Sequence, residues 1–193
     1  MEIASRFQRD RRIFGDLAAA DARALAEAFK ANVRPKTDFL ARQGEPDAME
    51  YILLSGKVVS LIGDADGREV CVGFYVGPCV ITPNLARAAD GKSLVSLRLE
   101  SDGQAASVSA VALLELMRVS SAIEAWANAV LRDELARKTA REWSLAALKA
   151  KERLEWFRGS YPDYEALFKH SQISSFLGMT PVTLSRLRHS GSL

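Results

Sequence analysis

The spacing of apolar and polar residues changes several times along this chain. Residues 14–33, FGDLAAADARALAEAFKANV, repeat apolar side chains at helical spacing behind the candidate N-cap Asp16, and the Arg34-Pro35-Lys36 triplet interrupts that pattern. From Asp38 to Leu116, short runs rich in branched and aromatic residues alternate with turn signals about every ten residues. The strand-length runs are YILL, VVSLI, EVCVGFYV, LVSLRLES and ASVSAVALLEL. The pattern predicts one helix followed by an antiparallel barrel or jelly roll.

Beyond the strands, the pattern becomes helical. The segment 121–148 contains neither Gly nor Pro, which predicts one long helix with an apolar stripe that polar residues interrupt at 137–142. The stripe consists of Ile123, Ala127, Val130, Leu131, Leu135, Leu145 and Leu148. Such a helix exceeds what a small core can cover, so we predict that part of it packs against a second copy. Packing entirely on its own barrel is the alternative. A further helix over 149–159, a turn at 161–164 and a short helical stretch over 165–169 are expected next.

The stretch 171–188, SQISSFLGMTPVTLSRLR, carries the most specific local signal. Gly178 can close one short helix in the left-handed conformation, while Thr180 and Pro181 suit the N-cap and first position of the next helix. Two short helices joined through a glycine turn predict a helix-turn-helix, and a plain helical hairpin that caps a domain is the alternative. The seam between the two helices is predicted to consist of Ile173, Phe176, Leu177, Leu184 and Leu187.

Composition and charge narrow the class of protein. The chain has 193 residues, 48% apolar and 26% charged, as in a globular protein of one large or two small domains. No apolar run approaches the roughly 18 residues that span a membrane, and the charged start MEIASRFQRDRR is unlike a signal peptide, so we expect a cytoplasmic protein without a membrane partner. Residues 1–130 hold 15 Lys and Arg against 17 Asp and Glu, whereas residues 131–193 hold 11 against 7. The positive C-terminal part favours a polyanionic partner.

Several motifs occur in an order that is typical of one family of regulators. Arg34-Pro35-Lys36-Thr37 and Gln43-Gly44-Glu45 are similar to its opening strands, and Tyr51–Val58 is similar to its third strand and glycine turn. Asp66–Glu69 is similar to the following hairpin, while Lys151–Leu154 and Ile173–Arg188 are similar to its C-terminal helices. Over nearly the whole chain the sequence thus resembles the catabolite-activator/FNR (Crp/Fnr) family of transcription regulators.

The resemblance implies an α+β fold in three parts. Residues 1–120 correspond to a cyclic-nucleotide-binding-type antiparallel β-barrel (jelly roll), residues 121–148 to a dimerisation helix, and residues 149–193 to a helical helix-turn-helix domain. The implied function is transcription regulation by a homodimer, effector-responsive or constitutive, that binds an inverted-repeat operator in double-stranded DNA. RNA polymerase and an unknown small-molecule effector stay open as further partners. The alternative is a ligand- or protein-binding module whose C-terminal helices dock a partner other than DNA.

The sensor part departs from nucleotide-binding members of the family at the positions that hold the ligand. Where those members carry a Glu for the ribose, this chain has Thr82, and their Arg-Ser or Arg-Thr pair for the cyclic phosphate corresponds to Lys92 and Ser93. Thr139 matches a position that faces the ligand. Lysine lacks the planar fork of arginine, so we expect that the chain does not depend on cyclic AMP. A solvated turn is the alternative reading of Lys92 and Ser93.

The resemblance also assigns roles in the helix-turn-helix. Arg186 is expected to read guanine through its fork, Thr183 and Ser185 to contact bases or phosphates, and Arg188 and Lys169 to contact phosphates. The DNA-binding set comprises Ser171, Thr180, Thr183, Ser185, Arg186, Arg188 and Lys169. The family often carries a Glu where this chain has Val182, and valine can meet only a thymine methyl, so we expect an unusual operator.

Other chemistry finds little support in the sequence. There is no nucleophile–base pattern, P-loop or dinucleotide fingerprint, so we expect no enzyme activity. Two cysteines cannot hold an iron–sulfur cluster, and the His and Cys residues lack metal-ligand spacing, so neither a cofactor nor a metal is predicted. Cys71 lies in an apolar run and is predicted to be a core residue, while a redox role of Cys79 stays open.

Overall fold

The computed structural model describes residues 11–15, 17–64 and 66–190. In chain order the elements are α1 (Arg11–Phe14), α2 (Ala19–Ala28), β1 (Lys30–Arg34), β2 (Phe39–Ala41), β3 (Met49–Ser55), β4 (Lys57–Gly63), β5 (Glu69–Val76), β6 (Cys79–Val80), α3 (Asn84–Arg87), β7 (Ala88–Ala89), β8 (Lys92–Ser93), β9 (Ser96–Leu99), β10 (Gly103–Ser109), α4 (Ala110–Val119), α5 (Ser121–Ala147), α6 (Ala150–Ser160), α7 (Tyr164–Leu167), α8 (His170–Phe176) and α9 (Pro181–Ser190). The strands form two four-stranded sheets, in the orders β1-β10-β3-β6 and β2-β9-β4-β5, and a short β7-β8 pair. The predicted α+β fold with an antiparallel jelly roll and C-terminal helices is confirmed.

The chain divides into two compact units. The first consists of Met1–Ser60 and Phe74–Leu135, and the second of Leu61–Gly73 and Ala136–Leu193. The outer part of the β4–β5 hairpin therefore belongs to the same unit as the C-terminal helices. The functional division at residues 120 and 148 stays a prediction, because compactness does not show which segment dimerises or binds DNA.

An apolar core connects the helices of the first unit to the sheet that contains β3 and β10. Leu25 and Phe29 are buried together with Ile52 of β3, Val108 of β10 and Ile123 of α5. Burying one such side chain stabilises the fold by about 1.5–3 kcal/mol. This core positions the first half of α5.

Aromatic side chains form the core of the second unit. Phe157 of α6 and Phe176 of α8 are both fully buried, and their ring centroids lie 5.7 Å apart. The ring of Trp156 stacks nearly parallel to that of Phe176, with the centroids 6.4 Å apart. The prediction that Cys71 is a core residue is confirmed, since it is fully buried and its backbone N–H donates to Ser175 Oγ over 3.1 Å.

The predicted helix over residues 14–33 is wrong at both ends, because α2 begins only at Ala19 and Phe14 belongs to the separate helix α1. The helix α2 ends at Ala28, Phe29 takes an extended conformation, and Lys30–Arg34 form the strand β1. The reason is long-range pairing, because β1 lies antiparallel to β10 with Ala31 opposite Ala106. Asp16, the predicted N-cap, lies outside the described residues.

The last predicted strand, ASVSAVALLEL, is half helix. Strand β10 ends at Ser109, and the remaining residues begin α4. The Ser109 side chain accepts a hydrogen bond from the Ala112 N–H over 3.1 Å, which is the geometry of a helix N-cap. Alanine and leucine, both strong helix formers, then continue the helix.

The long helix predicted over 121–148 is confirmed in its extent as α5, which runs without a break over Ser121–Ala147. Along it, Ile123 is buried, whereas Leu135 and Trp143 stay about half exposed. Within the described ranges, α5 and the other helices are all too short or too polar to cross a lipid bilayer.

Candidate nucleic-acid interface

Local hydrogen bonds close the first helix of the predicted helix-turn-helix. Leu177 N donates to Ile173 O over 3.0 Å, and Met179 N donates to Ser174 O over 3.0 Å. Between them Gly178 has a φ of +61°, the left-handed conformation that glycine adopts without steric penalty. The predicted glycine stop after α8 is therefore confirmed.

The second helix, α9, begins as its sequence predicts. Thr180 Oγ1 accepts a hydrogen bond from Thr183 N over 3.1 Å, and Pro181 is the first helical residue. Threonine satisfies an N–H group that lacks a helical partner, and proline has none to satisfy. The Thr180 and Thr183 hydroxyl oxygens lie 2.9 Å apart, so they stabilise each other at the front of the helix.

Apolar side chains hold α8 and α9 together. Ile173, Phe176, Leu177 and Leu184 are buried as predicted, while Leu187 is half-buried. Together they form the predicted seam, which leaves one face of α9 outside the domain.

The C-terminal part of α5 also contacts α8. The Arg141 guanidinium lies 4.7 Å from the centroid of the Phe176 ring, and Arg141 Nε donates to Phe176 O over 3.1 Å. Burial lowers the pKa of Arg141 from its ordinary value. One turn further, Leu145 lies so close to Gly178 that a Cβ there would come within 2.9 Å of Leu145 Cδ2.

The outer face of α9 carries the residues that were predicted to read bases. Arg186 is exposed, and among the described residues it has no hydrogen-bond or ion-pair partner. Val182, one turn earlier, is 60% exposed, and Thr183 and Ser185 are half-buried beside it. Arg186 and Val182 thus lie on the outward face of α9, and the exposed N-cap Thr180 directly precedes this helix. A guanidinium, an apolar side chain and a hydroxyl are therefore available there to meet a groove.

The residues predicted to contact phosphates divide into two groups. Lys169 and Ser171 are exposed at the start of α8, where Lys169 N donates to the Gln172 side chain. Arg188 differs, because its Nε donates to Glu165 Oε1 over 2.8 Å and its Nη1 lies 2.9 Å from His170 Nδ1. Arg188 therefore has internal partners that the sequence did not reveal.

Of the predicted effector residues, Thr82 and Ser93 are buried in the first unit. Thr82 is buried with its hydroxyl unbonded among the described residues, and the Ser93 hydroxyl donates to Val95 O over 2.8 Å. Lys92 is exposed in the short β7–β8 pair, and Thr139 is exposed on α5 in the second unit. Backbone hydrogen bonds also join Ser93 to Gly44 and Glu45, so the turn that contains Lys92 and Ser93 is hydrogen-bonded to a second segment of the chain.

A buried ion pair, which sequence reasoning missed, lies beside Thr82. Arg87 Nε and Nη2 donate to the two carboxylate oxygens of Asp47 over 3.0 and 3.1 Å, and Nη1 donates to Thr82 O over 2.6 Å. The Arg87 side chain is 0% exposed and that of Asp47 is 2% exposed. Arg87 also donates to Met49 O. The sequence does not reveal this pair, because Arg87 is a single arginine between two alanines and Asp47 has the local pattern of a turn residue.

An apolar cavity of about 250 Å³ opens nearby in the first unit. Its wall includes Leu85, Leu113, Leu114, Trp126, Val130 and Leu131. Glu50 is its charged group and accepts from Asn84 N over 2.9 Å. Burial raises the pKa of the Glu50 carboxyl above its ordinary value, although the Asn84 N–H and the Arg87 guanidinium oppose that shift.

Metal ligation finds no support within the part of the chain that the structure describes, since no group of three or more His, Cys, Asp and Glu side chains is placed to hold an ion there. Cys71 is buried and Cys79 is half-buried, and no disulfide joins them.

Several solved structures are similar to this one. FixK2 from Bradyrhizobium japonicum superposes with a TM-score of 0.73 at 18% identity, covering 84% of this chain and 83% of that chain. The c-di-GMP-responsive regulator CLP from Xanthomonas campestris gives 0.70 at 17% identity, covering 90% and 91%. The Thermus thermophilus catabolite activator protein gives 0.60 at 17% identity, covering 92% and 84%. No protein-family model and no curated protein sequence matches the chain. By structure rather than by sequence, the chain has the fold of the Crp/Fnr transcription regulators.

Proposed function

We propose that this chain is a transcription regulator that binds double-stranded DNA through α9. The observation that carries the proposal is the exposed Arg186 on a helix whose start is capped by Thr180 and whose inner face is buried through Leu184. A helix held in this way can enter the major groove with its outer side chains against base edges. The absence of carboxylate side chains after Glu165 supports a polyanionic partner.

The proposal includes a homodimer that pairs through α5. This helix leaves Leu135 and Trp143 about half exposed, and its first half lines the apolar cavity through Val130 and Leu131. Leu114 of α4, 53% exposed, continues that surface. Apolar surface of this kind on a long helix favours a second helix with the same pattern, and two copies would present two α9 helices to an inverted repeat.

Binding to genomic DNA fragments at several salt concentrations tests this function. We expect selection from random fragments to yield inverted half-sites about one helical turn apart, and the logarithm of the affinity to fall by roughly 0.9 for each contacted phosphate per tenfold rise in salt. Sedimentation of the free protein should give twice the mass of one chain. Failure to enrich any fragment at low salt would contradict the proposal and favour a module that docks another protein.

The proposal also excludes cyclic AMP as the effector. The Ser93 hydroxyl is committed to Val95 O, Arg87 is neutralised by Asp47, and Thr82 replaces the ribose-binding glutamate of the resembling regulators. A cyclic phosphate would therefore lose the arginine fork and the hydroxyl that it needs.

Thermal unfolding of the full chain with and without millimolar cyclic AMP checks this point. We expect no rise in Tm, because a ligand stabilises a protein only when it binds the folded state. Cyclic di-GMP and 5′-AMP serve as matched nucleotide controls. A concentration-dependent rise in Tm that only cyclic AMP produces would disprove the exclusion.

A further inference from the structure

The imidazole of His170 contacts both ends of the helix α9. His170 is the first residue of α8. Its Nε2 lies 2.8 Å from the backbone oxygen of Pro181, the first residue of α9, and its Nδ1 lies 2.9 Å from Arg188 Nη1 near the end of that helix. One side chain of α8 therefore fixes α9 at two points that lie almost two turns apart.

The two partners determine the protonation state of the ring. A guanidinium can only donate hydrogen bonds and a carbonyl oxygen can only accept them. Nδ1 must therefore be an acceptor for Arg188, and Nε2 must carry the proton that it donates to Pro181 O. The geometry requires the neutral imidazole with its hydrogen on Nε2. A second proton on Nδ1 would remove the acceptor and point an N–H group at a cation.

Arg188 contacts a carboxylate as well as the His170 ring. On α7, Glu165 accepts from Arg188 Nε over 2.8 Å and from Arg158 Nε of α6 over 2.5 Å. Burial alone would raise the pKa of the Glu165 carboxyl, but the hydrogen bonds from Arg158 and Arg188 outweigh it, and the pKa lies below its ordinary value. Glu165 therefore keeps its charge at neutral and mildly acidic pH, whereas the imidazole of His170 can exist in a neutral and in a protonated form.

The other histidine of the chain does not share this arrangement. His189 Nδ1 lies 2.8 Å from Ser185 O of its own helix, and its ring is exposed. Gaining a proton on the other nitrogen leaves that hydrogen bond intact. The chain contains 2 histidines, so His189 is a natural internal control for any effect of pH on α9.

We propose that His170 is a positioning residue for DNA recognition, which in its neutral Nε2–H form fixes α9 through Pro181 and Arg188 and on protonation releases it. The inference depends on the proposed DNA-binding function. The sign follows from the geometry, because the stabilising contact exists only while the ring is neutral. DNA affinity is therefore full while the His170 ring is neutral and falls once the ring gains a second proton. Simple electrostatics predicts the opposite change in DNA affinity on protonation, since added positive charge strengthens binding to phosphates.

Fluorescence anisotropy of the full chain with a selected DNA fragment, at constant ionic strength between about pH 8 and about pH 5.5, tests the inference. For the wild type we expect an affinity loss of about tenfold, which corresponds to one hydrogen bond to a charged group. In His170→Asn the amide oxygen can accept from Arg188 at any pH but the contact with Pro181 O is lost, so this variant should bind more weakly than the wild type at pH 8 and lose the pH dependence. The matched variant His189→Asn should keep the pH dependence of the wild type.

The ring tautomer gives a readout that needs no DNA. In the free protein at pH 8, the imidazole nitrogen shifts of His170 should report a protonated Nε2 and an unprotonated Nδ1. The reverse tautomer, or a pH dependence that His189→Asn removes and His170→Asn keeps, would overturn the inference. Tight DNA binding whose affinity does not change with pH would overturn this inference but leave the proposed DNA-binding function intact. Absence of DNA binding at pH 8 would overturn the proposed function together with it.

Discussion

Replacing Arg87 by methionine is expected to lower the free energy of unfolding by about 3–5 kcal/mol, the largest effect that we predict for one substitution. Methionine fills part of the guanidinium's space but leaves the Asp47 carboxylate, 2% exposed, without its cation. An unpaired buried charge costs far more than the lost hydrogen bonds alone. Urea unfolding of the full chain, followed by far-UV circular dichroism, measures the change through the midpoint at constant slope.

Two controls separate this effect from a general loss of charge. Arg23 forms an exposed pair with Glu27 over 2.9 Å, and Arg23→Met should cost no more than about 0.5 kcal/mol. The double variant Arg87→Met with Asp47→Leu removes both buried charges and should recover much of the stability lost by Arg87→Met alone. The explanation is wrong if Arg87→Met unfolds at the same urea concentration as Arg23→Met.

Substituting Arg186 by alanine is expected to weaken binding to the selected DNA site by about 1–3 kcal/mol in each half-site, or roughly 5- to 150-fold. The reason is that Arg186 is the exposed guanidinium of α9 without an internal partner among the described residues, whereas Arg188 is held by Glu165. Discrimination between the preferred base and the other three should disappear at one position of the half-site. Competition binding with single-base variants of the site measures both effects.

Arg186→Lys and Arg118→Ala complete the experiment. Lysine keeps the charge but lacks the bidentate fork, so Arg186→Lys should retain most non-specific affinity and still lose base discrimination. Arg118 is 74% exposed on α4, and its replacement by alanine removes the same charge far along the chain from α9. Equal losses for Arg186→Ala and Arg118→Ala would show that Arg186 contributes charge and not base recognition.

The elements that the sequence predicted correctly depend on neighbouring residues. Gly178 and Thr180 act within one turn of their own positions, through a left-handed φ and a side-chain cap, so their roles follow from local chemistry. The same applies to α5, whose 27 residues contain no helix breaker. Local rules are sufficient where the partner groups lie only a few residues away.

One error occurred where a distant segment decided between two local options, and the other where a local helix cap ended a strand. Residues 30–33 can continue a helix, but pairing with β10, more than 70 residues later, makes them a strand. Residues 110–116 continue the apolar run of the strand before them, and the Ser109 cap together with α-helix formers makes them a helix. Periodicity alone could not separate these cases.

The site could be predicted only in part for the same reason. Arg186 was identifiable from its motif, whereas the Arg87–Asp47 pair joins residues 40 positions apart and the His170–Arg188 contact joins residues 18 positions apart. A single sequence contains no signal for such pairs, because each residue alone has the ordinary character of a surface residue. They become visible only after the chain has folded.

The contact between the C-terminal part of α5 and α8 limits the insertions and deletions that α5 can accept during evolution. Arg141 contacts Phe176, and Leu145 contacts Gly178. Arg141 and Leu145 can make these two contacts because they lie four residues apart on one face of α5. One residue inserted between them would turn Leu145 by about 100° away from that face. Insertions and deletions should therefore be absent from this turn of α5 in functional descendants, while point substitutions at its exposed positions accumulate freely.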